Sequence, residues 1–298
     1  MRMKMKNKYT IFVIIAGSLW GFMGFFRRTL DSIGISAMGV IAVRCFFALI
    51  FFAALMLISD RSAFKIKLKD LWMFVGSGVI SLLVFGWCYF KAMDHMSLST
   101  AAILLYTAPF FVILMSAPLF KEKISGRKVL AMVIAFVGCC LVSGIGSGDG
   151  RITLVGLLLG LGSGICYALY SIFSRFAINR GYSTYTINFY SCLLASLGAL
   201  IIDGPQCFSL AFANGSNLFY AVATGFVTAF LPYLLYTKGL LGLENGKASI
   251  IASIEPVVAT LVGFAFYSEE PTLMSVAGIL LVLSAIVLLN IKNKKDEV

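Results

Sequence analysis

The sequence predicts an all-α integral membrane protein with ten transmembrane helices, arranged as an inverted repeat of five plus five. The prediction rests on the composition, on ten long apolar stretches and on an internal repeat. Of the 298 residues, 60% are hydrophobic and 12% are charged, and the mean hydropathy is +0.97. Soluble domains carry roughly 25% charged residues, so this composition indicates a chain embedded in lipid.

The ten apolar stretches are each long enough to cross the hydrocarbon core, which takes about 20 residues of helix. Backbone groups in lipid must be hydrogen-bonded within their own segment, and these runs are too long for barrel strands, so we expect helices. The predicted spans are residues 9–26, 37–58, 70–93, 98–120, 128–146, 153–176, 184–202, 217–239, 246–268 and 273–291.

The second half of the chain repeats the first at an offset of about 147 residues. Apolar matches mean little in such a chain, but matches of charged residues and prolines in one register indicate duplication. Each copy contains five spans, so the second copy enters the membrane from the opposite side, a construction typical of secondary transporters. The informative pairs are Arg28 with Arg175, Tyr89 with Tyr236, Lys91 with Lys238, Pro109 with Pro256, and Glu122 with Glu269.

The net charge of +11 reflects Lys and Arg residues that concentrate on one side of the predicted membrane spans, so it does not indicate a nucleic-acid site. If the N-terminus is cytoplasmic, most Lys and Arg residues fall in the tails and connections on that side. This asymmetry predicts both termini in the cytoplasm and a multi-pass protein of the cell membrane.

The seven cysteines lie almost entirely within spans, without a CxxC pair or a histidine spaced for metal binding. We therefore expect no metal site, no cofactor and no disulfide framework. No span combines a nucleophile with a base or with a second carboxylate, so the sequence does not predict an enzyme.

Two prolines lie near the middle of spans four and nine, and the repeat relates them. Pro109 and Pro256 are predicted to kink their helices and to free the carbonyl groups of Leu105 and Ala252. One interpretation is a packed kink. The other, favoured because both kinks lie at one depth, is a hinge beside a polar cavity near the midplane.

Two ionisable residues within the spans break the internal symmetry. Glu255 precedes Pro256 and corresponds to Ala108, and Arg44 in span two corresponds to Ser191. A charged side chain facing lipid costs several kcal/mol. Each residue is therefore either a structural tie between helices or part of a substrate-binding site, and both interpretations stay open.

Aromatic and basic residues complete the candidate substrate-binding set. Buried tyrosine hydroxyls need partners, so either a polar cavity or ordinary helix packing accounts for the aromatic candidates. Lys91 and Lys238 either extend to the interface or line the two mouths of a pathway and attract anionic groups. The aromatic candidates are Trp20, Tyr89, Tyr106, Tyr167, Tyr170 and Tyr236.

Glu122 and Glu269 precede Ser125 and Thr272, at the predicted starts of spans five and ten. A carboxylate at this position complements the positive end of a helix, and Ser or Thr is a favoured N-cap. We therefore expect each glutamate to stabilise the helix that directly follows it.

The order and doubling of several short motifs resemble the drug/metabolite transporter superfamily, and within it the EamA-type ten-helix transporters. The resemblance covers two EamA-like units, residues 10–145 and 157–291. It implies the inverted five-plus-five fold, a central cavity lined mainly by the first four helices of each half, and transport by alternating access. The motifs are Arg44 within 43–47, the run 99–102 leading to Pro109 and Glu122, the pair 248–249 leading to Glu255, and the run 269–271.

Within this resemblance, Arg44 and Glu255 match common positions, which indicates a shared architectural role. Lys91 and Lys238 stand where an uncharged residue is more usual, and are the better clue to specificity. The leading prediction is a secondary-active or facilitative carrier for a small polar metabolite, an amino acid or a related compound, with export favoured. Glu255 is the candidate group for proton coupling, and a homodimer is a candidate assembly.

Two alternatives stay open. A lipid-linked or nucleotide-sugar carrier would use the two lysines to attract phosphate. A membrane scaffold that transports nothing would need neither a polar midplane nor inverted symmetry.

Overall fold

The protein is described by a computed structural model that covers residues 2–144, 153–267, 270 and 272–291. Every regular element in these ranges is helical, and nine of their helices are long and apolar enough to cross a membrane. A further apolar helix, Gly126–Val142, has 17 residues, close to the lower limit for a span. The all-helical membrane class is therefore confirmed.

We number the membrane helices in chain order, with three of them divided into segments. Besides them, the described chain has short helical turns at Arg61–Phe64 and Gln206–Ala211. The helices are α1 (Arg2–Trp20 and Met23–Ser32), α2 (Ala37–Ser59), α3 (Leu68–Met93), α4 (Leu98–Leu105 and Ala108–Phe120), α5 (Gly126–Val142), α6 (Leu154–Asn179), α7 (Thr184–Asp203), α8 (Gly215–Leu240), α9 (Asn245–Ala252 and Ile254–Tyr267) and α10 (Leu273–Asn290).

Helix contacts follow the internal repeat. Helix α1 packs against α8 and α9, and its counterpart α6 packs against α3 and α4. Helices α2 and α7 pack together, as do α5 and α10. If every helix is exchanged with the one at the matching place in the other half, these pairings stay the same. Because each half has five helices, an odd number, the second half crosses the membrane in the opposite direction to the first. This is the predicted inverted five-plus-five arrangement.

Both ends of the described chain lie at one face of the bundle. The Thr10 hydroxyl donates a hydrogen bond to Asn290 Oδ1 at 3.3 Å, joining the start of α1 to the end of α10. On the same face Arg180 donates to the buried Asp70 carboxylate at 2.8 Å. We call this the basic face, because the Lys- and Arg-rich connections of the sequence belong to it.

Helices α3 and α8 widen from α-helical to π-helical geometry at Gly76–Val84 and Gly225–Phe230. The two stretches overlap under the offset of 147 residues, although no sequence pattern predicted them. Each contains a glycine at a close helix crossing: a Cβ at Gly78 would lie 2.6 Å from the Ser191 carbonyl oxygen, and one at Gly225 would lie 2.5 Å from Phe47 Cβ. Such π-bulges are frequent at functional sites.

Helices α4 and α9 are each interrupted by a short turn, at Tyr106 and Thr107 in α4 and at Ser253 in α9, directly before the prolines at which kinks are predicted. Pro109 is the second residue of the second α4 segment, and Pro256 is the third residue of the second α9 segment. Proline is tolerated in a first turn because the N–H it lacks has no intrahelical acceptor there. Each proline therefore begins a new helix segment.

Each break packs against a glycine of the other half. A Cβ at Gly17 on α1 would lie 2.9 Å from the Ala252 carbonyl oxygen, and one at Gly164 on α6 would lie 2.9 Å from the Leu104 carbonyl oxygen. Gly17 and Gly164 correspond in the repeat. Their missing side chains let α1 and α6 touch the backbone of α9 and α4 at the breaks.

Candidate functional site

Two adjoining cavities lie between the halves, and Tyr167 on α6 lines both. The break cavity, about 310 Å³, lies between the interruptions of α4 and α9 and includes Leu105, Tyr106, Tyr167, Ser249, Ser253 and Glu255. The aromatic cavity, about 250 Å³, is bounded by Trp20, Tyr167, Tyr170, Tyr233 and Tyr236, with Ser81 and Ser171 beside them. Tyr167 is the residue that the two linings share.

Glu255 is positioned by the break in α9. It is the second residue of the segment that begins at Ile254, so its carboxylate lies at the positive end of that segment, where negative charge is favoured. The Tyr167 hydroxyl donates to Glu255 Oε2 at 3.2 Å. The structure thus brings together Glu255, Tyr106 and Tyr167, which the sequence predicted as site residues.

The hydroxyl groups of the aromatic cavity are largely bonded to protein. Tyr170 donates to Asn188 Oδ1 and lies 3.1 Å from the Thr237 hydroxyl. The Tyr236 and Ser171 hydroxyls are 2.7 Å apart. These hydrogen bonds hold the Tyr170 and Tyr236 side chains in place at the edge of the cavity.

Trp20 is the centre of this aromatic cluster. Its ring centroid lies 5.2 Å from that of Tyr233, 5.3 Å from that of Tyr236 and 6.2 Å from that of Tyr167. Its buried Nε1 has no hydrogen-bond partner among the described residues. A buried N–H without a partner is costly, so this donor is available to a solute.

Arg44 is 5% exposed and lies behind the aromatic cavity, outside its lining. One guanidinium nitrogen, Nη1, donates to Met23 Sδ at 3.4 Å. Tyr233 is its main electrostatic neighbour. Arg44 therefore lies outside the lining of both cavities but acts electrostatically on Tyr233 and Glu255, and its role in substrate binding stays a prediction.

The two predicted lysines and Tyr89 lie outside the lining of both cavities. Lys91 is exposed and pairs with Asp94 at 3.0 Å. Lys238 lies 5.5 Å from the centroid of the Tyr185 ring. Tyr89 stacks on the neighbouring Phe85 instead of bordering either cavity.

Glu122 has a different partner from the one predicted. Its Oε1 accepts from the Asn245 backbone N–H at 2.7 Å, and Oε2 accepts from the Gly246 N–H at 3.2 Å. It therefore caps α9 of the other half, while Ser125 caps α5 through the Lys128 N–H. The reason is spatial: the α4–α5 connection passes the start of α9. The corresponding prediction for Glu269 lies outside the described residues.

Further bonds surround Glu122 at the basic face, two of them within the second half and one between the halves. Arg175 on α6 donates from Nε to Asn245 Oδ1 at 2.9 Å and from Nη2 to the Leu243 carbonyl. The Asn245 amide donates to Ser116 Oγ at 3.2 Å. We call Glu122, Arg175 and Asn245 the inter-repeat latch, because they join the end of α4 to the start of α9.

Among the described residues, no three His, Cys, Asp or Glu side chains lie close enough together to hold a metal ion. The oxygen-bearing groups of the two cavities come from one carboxylate, serines and tyrosines.

Comparison with known proteins agrees with this geometry. The uncharacterized transporter YxxF of Bacillus subtilis (strain 168) is 28% identical over 98% of this chain and 92% of its own length. An uncharacterized transporter of Archaeoglobus fulgidus is 29% identical, over 67% of this chain and 70% of its own. A solved crystal structure shares the fold with a TM-score of 0.81, at 17% identity, and covers 98% of this chain and 99% of its own.

Two stretches, residues 7–144 and 154–291, match the EamA-like transporter family. They cover nearly the whole chain, and each contains one set of five helices. With its broken helices, paired halves and central cavities, this chain belongs to the EamA-like transporter family.

Proposed function

We propose that the protein is a secondary-active or facilitative carrier of the cell membrane that moves a small polar metabolite, an amino acid or a related compound. The observation that carries the proposal is the position of the two cavities. The break cavity lies between the inverted halves, where α4 and α9 are interrupted, and the aromatic cavity adjoins it at Tyr167. Transporters commonly bind their substrates at such interrupted helices near the midplane.

Alternating access requires the two halves to move relative to each other around this site. The breaks divide α4 and α9 into segments, and no intrahelical hydrogen bond ties Pro109 or Pro256 to the preceding turn. Gly17 and Gly164 present no side chain at these contacts. Each half-helix can therefore tilt with its own neighbours, opening one face while the other is closed.

Glu255 is the group we propose for coupling. It is the one carboxylate that lines the two cavities, and a tyrosine hydroxyl is its hydrogen-bond donor. Proton binding to such a carboxylate changes the charge of the site, so it can link solute movement to a proton gradient. Export, and the cytoplasmic position of both termini, remain predictions from the sequence.

The decisive test replaces Glu255 by glutamine in protein reconstituted into liposomes. A glutamine keeps the size but not the charge, and hydrogen bonds to charged groups contribute about 1.5–3 kcal/mol. We expect solute flux to fall by at least about tenfold and its pH dependence to flatten. The exposed Glu270→Gln is the matched control. Unchanged flux with unchanged pH dependence would refute the role of Glu255.

The substrate class is found by a thermal-shift screen of purified protein against amino acids, amines, nucleosides and nucleotide sugars. The nucleotide-sugar alternative stays a prediction, because Lys91 and Lys238 were expected at the mouths of the pathway and lie outside the lining of the two cavities. A scaffold that transports nothing would tolerate apolar residues at Trp20, Tyr106 and Glu255 together. A homodimer stays a prediction, to be tested by mass measurement in detergent.

A further inference from the structure

The start of α3 and the end of α4 carry apolar side chains that the bundle leaves uncovered at the basic face. Leu68 is 85% exposed and Trp72 is 45% exposed. From there three rings continue across the end of α6. The Trp72 ring centroid lies 5.3 Å from that of Phe176, which in turn lies 4.8 Å from that of Phe120. We call Trp72, Phe176 and Phe120 the interfacial strip, because α3 begins there and α4 and α6 end there.

Two lysines flank the interfacial strip. Lys69 lies three residues before Trp72, about one helical turn away, and Lys121 directly follows Phe120. Both lysines are exposed, and the side chain of neither has a hydrogen bond or an ion pair among the described residues. The strip therefore combines an apolar surface with an ammonium group at each end.

The carboxylates next to these lysines have other partners. The Asp70 side chain is 3% exposed and accepts from Arg180 Nη1 and from the Tyr182 hydroxyl, each at 2.8 Å. Glu122 is held by the first turn of α9, and its Oε2 lies 4.0 Å from Lys128 Nζ. Each acid thus has its own counter-charge, so the positive charge of the two flanking lysines is left for a ligand.

Lys121 has a backbone conformation that is unusual for a lysine. Its φ is +56°, and no other non-glycine residue in the described chain has a positive φ. Glycine is the usual residue where a helix ends in this conformation, because a side chain there is sterically unfavourable. No hydrogen bond or ion pair of the Lys121 side chain within the described chain accounts for a lysine at this position.

The opposite face of the bundle repeats the aromatic residue but not the lysines. The offset of 147 residues places Phe219, which is 66% exposed, in the position of Trp72. It places serines, Ser216 and Ser268, in the positions of the two lysines. Aromatic side chains anchor helices in either leaflet, whereas lysines are attracted to the anionic lipids of the cytoplasmic leaflet. The sequence predicts that the basic face is the cytoplasmic one.

We propose that Lys69, Lys121 and the interfacial strip bind an anionic phospholipid of the leaflet at the basic face. The two ammonium groups hold the headgroup phosphate, and the acyl chains lie against the rings. Free phosphate lacks the apolar part, and zwitterionic lipids lack the net negative charge, so the surface selects lipids that have both. This inference does not depend on which solute the carrier moves.

Trp72 reports on this site directly. Of the three tryptophans, Trp20 is 7% exposed, and Trp87→Phe therefore leaves Trp72 as the one tryptophan exposed to lipid. The Trp87→Phe protein in detergent micelles is titrated with phosphatidylglycerol or phosphatidylcholine, both with brominated acyl chains that quench tryptophan on contact. We expect phosphatidylglycerol to quench Trp72 saturably, at a concentration about tenfold lower than phosphatidylcholine. Glycerol phosphate, the headgroup without acyl chains, should not displace the lipid at an equal concentration.

Variants in the same background locate the site. Lys69→Met with Lys121→Met should abolish the preference for phosphatidylglycerol. Lys8→Met with Lys65→Met is the matched control, because it removes the same charge from the same face, beside α1 and α7. It should keep the preference. Lys121→Gly should reduce the preference while the melting temperature in lipid-free detergent stays the same or rises, since glycine adopts the left-handed conformation without strain.

Equal quenching by the two lipids would overturn the inference. An equal loss of preference in the control variant would also overturn it, because general attraction to negative charge would then be sufficient. Displacement by glycerol phosphate at an equal concentration would identify free phosphate as the ligand and overturn the lipid assignment. Full preference in Lys121→Gly would overturn the role of Lys121. None of these measurements uses flux, so their outcome is separate from that of the carrier proposal.

Discussion

The breaks in α4 and α9 share one backbone plan: an eight-residue segment, an interruption, and a longer segment with proline in its first turn. Each packs against the glycine of the other half that the repeat assigns to it, Gly164 for α4 and Gly17 for α9. This likeness accounts for the architecture. It says nothing about what the site binds.

The same two breaks differ where they meet the cavity. Ala108 borders the break cavity with an apolar side chain, is 2% exposed and packs with Val112 and Ala168 in a small apolar cluster. Its counterpart Glu255 is bonded to Tyr167 and lines the break cavity. Symmetry thus builds the scaffold, and the departure from symmetry supplies the charge that a solute or proton can recognise.

The largest expected change in stability comes from placing a glutamate in α4 at the position that corresponds to Glu255 in α9. Ala108→Glu would bury a carboxylate beside apolar side chains, and an uncompensated buried charge costs about 3–5 kcal/mol. We expect a strong loss of thermal stability in detergent, measured by scanning fluorimetry. Ala108→Gln, equal in size and uncharged, should lose clearly less. A melting temperature equal to that of wild type would show that the two breaks are chemically interchangeable.

The next effect tests the feature the breaks have in common. Gly17→Ala and Gly164→Ala each place a Cβ 2.9 Å from a backbone carbonyl oxygen, and such overpacking costs about 1–3 kcal/mol. Both variants should lose stability and flux by similar amounts. Gly24→Ala is the control, because a Cβ there meets no atom within 4 Å. If only one of the two variants lost stability and flux, the contacts of Gly17 and Gly164 with the two breaks would not be equivalent.

A smaller effect is expected at the inter-repeat latch. Glu122→Gln keeps one acceptor oxygen but loses the charge that holds the first turn of α9, at a cost of about 1–2 kcal/mol. Hydrogen–deuterium exchange should rise selectively in residues 245–252. Glu270→Gln serves as the exposed control. Exchange that stays at the wild-type level in this segment would contradict the role of the latch.

The smallest effect belongs to Lys91, whose pairing with Asp94 is exposed. Because surface ion pairs contribute about 0–1 kcal/mol, Lys91→Met should change stability by less than about 1 kcal/mol and leave flux unchanged. The double variant with Lys238→Met sharpens the comparison, since the repeat relates the two lysines. A large loss of flux in the double variant would support the phosphate-bearing substrates.

Sequence reasoning found the residues of the breaks but not their geometry. Pro109 and Pro256 identify the positions because proline lacks an N–H, yet a kink and a new helix start satisfy that requirement equally well. The π-helical stretches in α3 and α8 were missed altogether, because their widening depends on the backbones that Gly78 and Gly225 meet.

Glu122 and Lys91 show that the role of a side chain, like the geometry of a break, depends on contacts that the sequence does not reveal. Both were assigned by their neighbours along the chain, and one of those assignments was misplaced because the partner of Glu122 lies 123 residues away. Lys91 was a specificity candidate because it departs from the usual residue type. Its distance from the cavities follows from the packing of the helix end, which no local pattern encodes.

By itself, the sequence determined that this chain lies in a membrane, that it is built from two related halves of five helices, and that Glu255 is the charge that breaks their symmetry. Those properties follow from the composition, the lengths of the apolar spans and the 147-residue offset between matching residues, all of which are visible in the sequence. The tertiary structure alone decided that both helices are broken, which aromatic residues border the cavities, and that Glu122 caps a helix of the other half. Such contacts join residues distant in sequence, so they are set by how the two halves pack.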